Sequence, residues 1–150
     1  MKLMNQCSTR MLLLVASLVM SGLASAACTQ ADLAGTWYAI GVGGDVNAGT
    51  FDEIDRCKVR VGSTGGVIAT GSSCSFRGGS GTDTSNITGG SLALSSSCAV
   101  TGSIRFCNAY GCASIRIQYA QMERGKDAFA MAGYITSSPS DVGFLQVIKQ

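Results

Sequence analysis

The chain has 150 residues, 46% of them hydrophobic and only 13% charged, with 11 basic against 9 acidic side chains, 7 cysteines and no histidine. That length supports one domain with a modest core. Without histidine the usual base of serine-type hydrolysis and the histidine-built zinc site are both missing, and without a basic block neither nucleic acid nor an anionic membrane is an expected partner.

Lys2 and Arg10 flank a polar start, the apolar run Met11 to Met20 follows, and small residues lead to Ala24-Ser25-Ala26. This is the layout of a secretory signal peptide over residues 1–26, cut after Ala26. The run falls short of the roughly 20 residues a spanning helix needs, so no membrane span is expected. Export to the periplasm or outside the cell is the expectation, with residues 27–150 as one domain. Loss of the leader removes Lys2 and Arg10 and leaves nine basic against nine acidic side chains. Cys28 then lies beside the cut, but Ser25 stands where a lipoprotein signal carries a Leu-like residue, which speaks against lipid at Cys28.

Six cysteines remain in the mature chain: Cys28, Cys57, Cys74, Cys98, Cys107 and Cys112. An even set in an exported chain reads as three disulfides rather than a metal or redox site. Only one pair is singled out by the sequence. Cys107-Asn-Ala-Tyr-Gly-Cys112 is a tight loop with Asn108 and Gly111 as turn formers, and a bridge across that hairpin is expected.

In chain order, strands are expected at Thr36 to Val42, Cys57 to Val61, Gly66 to Thr70, Cys74 to Arg77, Ser91 to Ser95, Cys98 to Cys107, Cys112 to Ala120, Asp127 to Thr136 and Val142 to Lys149. The clearest alternation puts Ala113, Ile115, Ile117 and Tyr119 on one face, and Phe129, Met131, Gly133 and Ile135 on one face of the next run. About eight or nine short strands with brief Gly/Ser turns predict an all-β antiparallel up-and-down meander. Closure into a barrel would remove its edges, with an open sandwich as the alternative. The segments Gly65 to Cys74 and Gly89 to Cys98 echo each other, which fits either a duplicated hairpin or compositional coincidence.

Two further clusters carry candidate chemistry. Gly41-Val-Gly43-Gly44 is too short for a phosphate loop and reads as a twist or bulge. Asp52, Glu53 and Asp55, with Asp45 nearby, lack the calcium-loop spacing and read as a solvated loop or helical turn before Cys57. No metal, cofactor or catalytic residue is expected, and binding rather than catalysis is the expected activity.

Gly35-Thr36-Trp37-Tyr38-Ala39-Ile40, after the lead-in Ala31-Asp32-Leu33-Ala34, resembles the opening strand of the lipocalins and the wider calycin barrels. The resemblance implies an eight-stranded barrel whose tryptophan closes one end beneath a late-strand arginine, with a small apolar ligand entering at the other. Arg105, Arg116 and Arg124 are the candidates for that cap or for an anion site. Independently, alternation places Ala39, Gly41 and Gly43 on the Trp37 face, leaving space above the indole. Trp37, Ala39, Gly41, Ile117, Tyr119, Phe129, Met131 and Phe144 are therefore the expected lining of a cavity for a small apolar or amphipathic molecule. The alternative is a protein-interaction module, such as a secreted structural protein or a protease inhibitor of the compact periplasmic calycin type. An oligomeric state is not set by any of these features.

Overall fold

The computed structural model describes residues 27–150, so the leader reading over residues 1–26 lies outside the described residues. Eight strands follow a 3-10 turn at Gln30–Leu33: β1 Gly35–Asp45, β2 Glu53–Val61, β3 Val67–Gly78, β4 Gly81–Leu94, β5 Val100–Asn108, β6 Gly111–Met122, β7 Ala128–Ile135 and β8 Ser138–Lys149. Each pairs antiparallel with its chain neighbours, and β1 pairs with β8 to close the barrel. The expected meander is present, and it is closed.

Strand boundaries differ from expectation at instructive places. Gly66 to Thr70 and Cys74 to Arg77 join into β3, because the buried Ser72 hydroxyl carries the chain across an irregular step in the β2–β3 ladder: it accepts the Arg60 N–H at 2.9 Å and donates to the Ile68 carbonyl at 2.6 Å. The strand expected from Cys98 starts at Val100 instead, since Cys98 adopts φ 68° in the turn. The acidic segment is a loop only in part: Asp52 is exposed ahead of β2, whereas Glu53 and Asp55 open that strand, with Asp55 paired to Gly41 on one side and Phe76 on the other.

The echoing segments do different jobs. Cys74 lies within β3, whereas Cys98 is a turn residue, so no repeated unit is built.

All six cysteines pair. Cys107–Cys112 bridges the β5–β6 hairpin as expected, and Cys57–Cys74 joins directly opposed residues of β2 and β3. Cys28–Cys98 spans 70 residues and ties the N-terminal lead-in to the β4–β5 turn. Three disulfides are the mark of a chain that folds in an oxidising environment.

One end of the barrel is shut. Leu33, fully buried, and Trp37 plug it, and the indole N–H donates to the Leu33 carbonyl at 2.7 Å. Gln30 fixes the lead-in by donating to the Leu92 carbonyl and accepting the Leu94 N–H, both at 2.9 Å. Burying an indole of this kind is worth on the order of 5 kcal/mol. The cation above Trp37 is Lys149, its Nζ 5.2 Å from the ring, and not one of the three candidate arginines. Lys149 comes from the last strand and also donates to the Asp32 carbonyl at 2.9 Å, so it both covers the indole and anchors the lead-in.

Candidate functional site

Alternation along β1 turns Trp37, Ala39, Gly41 and Gly43 inward as expected, and Ile117, Phe129 and Met131 join them inside. Tyr119 and Phe144 do not. The β6–β7 ladder slips between Ile117 and Tyr119, and this bulge resets the alternation so that Ala120 and Met122 face in while Tyr119 is 70% exposed. On β8 the inward residues are Leu145 and Val147, leaving Phe144 half exposed and tilted against Phe51 at 5.9 Å. Both aromatics belong to a shallow groove on the outer wall, with Ala130 and Ala132.

The space above the indole is almost filled. Trp37, Ala39, Ile104, Ile117, Phe129, Met131, Leu145 and Val147 surround an apolar void of about 40 Å³. That volume admits a few waters at most and no organic ligand. Gly41 lines neither this void nor the open end. Its role is close approach, since a Cβ there would fall 2.0 Å from the Phe144 carbonyl oxygen.

Concavity is found instead at the open end, opposite Trp37. The β1–β2, β3–β4 and β7–β8 connections surround a mouth of about 570 Å³. Phe76, Ile115 and Leu145 give it apolar walls, and Tyr134 stands beside them. Asp45, Asp52, Glu53, Asp55 and Asp141 also line it, five of the nine acidic side chains in the chain. Neither Lys nor Arg is among the lining residues. The ion pair of the described residues, Lys126–Asp32 at 2.9 Å, lies at the closed end.

Asp55 is the unusual member. It is 6% exposed, points inward, and its Oδ1 has no hydrogen-bond partner. Glycines make the room it occupies: a Cβ on Gly43 would lie 3.0 Å from Asp55 Oδ2, and one on Gly143 would lie 3.4 Å from it. Burial pushes the Asp55 carboxyl up to about 6. Glu53 is also raised, first by burial and then by the charges of Asp55, Asp52, Asp141 and Asp83. Asp83 itself accepts a hydrogen bond from the Asn108 side chain.

In the sequence alone these acids read as a solvated loop or helical turn, yet it carries a signal of their placement. Cys57, Val59 and Val61 face inward, and stepping back by two reaches Asp55 and then Glu53. Among the described residues no three His, Cys, Asp or Glu side chains converge as a metal site would require. No protein-family model matches the chain, and neither a curated protein nor a solved structure matches it.

Proposed function

We propose that this protein is an exported calycin-like barrel that binds a small amphipathic molecule at its open end, as a carrier or receptor rather than an enzyme. The observation that supports this most directly is the mouth itself: about 570 Å³, within the size range of small-molecule sites, with apolar walls around a buried carboxylate that has no protein partner. The apolar chamber expected above Trp37 is too small for the task, so the site moves to the rim.

Titration of the oxidised 27–150 domain with short-chain amphiphiles, followed by amide NMR shifts, tests the proposal. Shifts should gather at Gly43, Gly133 and Gly143 and spare the closed end around Leu33. Shifts spread over the outer wall, or absent throughout, would reject it.

A second reading, a protein-interaction module, is favoured by one observation. Tyr38, Ile40, Val42, Phe144 and Ile148 are all exposed on the adjoining outer faces of β1 and β8. The tether of Cys28 to Cys98 counts against a free N-terminus inserted into a protease as the form of that interaction.

A further inference from the structure

Resting on the mouth-binding reading, we infer that the ligand carries an organic ammonium group and that Asp55 is its counter-ion, with Glu53 as the neighbouring second carboxylate. Asp55 lines the mouth, is 6% exposed and leaves its Oδ1 without a hydrogen-bond partner, so the carboxylate lacks the counter-charge a cationic head would supply. The lining supplies five carboxylates and no basic side chain, so an anionic head group would meet only repulsion there. A neutral head would leave the Asp55 charge uncompensated as the ligand drove out water. A bare divalent cation is disfavoured by the lack of three convergent ligands among the described residues, and the apolar walls of Phe76, Ile115 and Leu145 suit hydrocarbon beside the head group.

The same geometry couples binding to pH. Asp55 shares the mouth with Asp45 of β1, Asp52 before β2, Glu53 of β2, Tyr134 of β7 and Asp141 of β8, and Asp83 of β4 acts on Glu53 beside it. None of these is a cation, so none holds Asp55 ionised. Its carboxyl sits at about 6 in the free protein. A cation binds the ionised form, so affinity is retained above that value and falls as pH drops through it, about tenfold between pH 7 and pH 5.

The experiment compares n-octylammonium, n-octanol, octanoate and calcium chloride against the oxidised 27–150 domain, read by amide shifts at Gly43, Gly133 and Gly143 and repeated from pH 5 to pH 8. Octylammonium should bind at least tenfold tighter than octanol, octanoate weakest, and Asp55→Asn should erase the preference while Trp37 fluorescence reports an intact fold. If Asp55→Asn does not fold, the wild-type pH series decides the matter alone. Equal binding of octanol and octylammonium, or a pH-independent affinity, would overturn the ammonium assignment and leave the mouth reading standing. Tighter calcium binding at the same amides would replace it with a metal site. Mouth amides unmoved by every probe would remove the mouth reading itself.

Discussion

At the scale of single residues, the two ends of the barrel hold carboxylates in opposite states. Asp32 at the closed end is lowered to about 2 by its hydrogen bond from Lys126, aided by the Thr29 N–H at 2.7 Å. Its contribution to stability is therefore present above about pH 4 and lost as pH falls toward 2. Asp55 behaves in the reverse sense. With its folded value raised to about 6 from 3.8, the folded state holds a proton that the unfolded chain has released. Wild-type stability should decline as pH rises from about 4 to 6 and level off beyond. Asp55→Asn should accordingly raise stability by on the order of 1 kcal/mol at pH 7, after allowance for screening by water in the mouth, and change little at pH 4. Urea unfolding of both proteins at the two pH values checks this, and a destabilised variant at pH 7 would contradict it.

At the scale of elements, inward and outward positions on β8 differ sharply although they alternate along one strand. Leu145→Ala deletes a buried wall of both the inner void and the mouth and should cost about 2–4 kcal/mol. Phe144→Ala, on the half-exposed outer face, should cost less than about 1 kcal/mol in the same denaturation experiment. Disulfides sort by the loop they close. Replacing Cys28 and Cys98 by Ser should cost about 4 kcal/mol, and replacing Cys107 and Cys112 about 2 kcal/mol, because the longer loop of 70 residues restrains the unfolded chain more than the loop of 5. The Cys28–Cys98 loss should also loosen the lead-in and expose Trp37, visible as a red-shifted emission, since Leu33 and Lys149 cover the indole only while the lead-in is held.

At the scale of the whole molecule, an up-and-down barrel sends alternate hairpins to opposite ends, and this chain gives the ends different chemistry. The lead-in and its disulfide shut one end over Trp37, while acids carried by β1, β2 and β8 line the other. Much of this was legible locally. The all-β class, the inward Trp37 face, the Cys107–Cys112 bridge and the inward Phe129 and Met131 all follow from a period of two and from a short cysteine-closed turn, both properties of adjacent residues. Closure of the sheet was not local, since it depends on β1 meeting β8 across the length of the domain. The phase at Tyr119 was lost because a bulge shifts alternation without leaving a residue type that marks it. Lys149 over Trp37 and the Cys28–Cys98 and Cys57–Cys74 pairings likewise depend on which strand ends become neighbours. Asp55 shows the division most clearly: sequence alternation assigns it a face, but only the closed barrel makes that face an interior, places glycines opposite it and leaves its carboxylate buried without a partner.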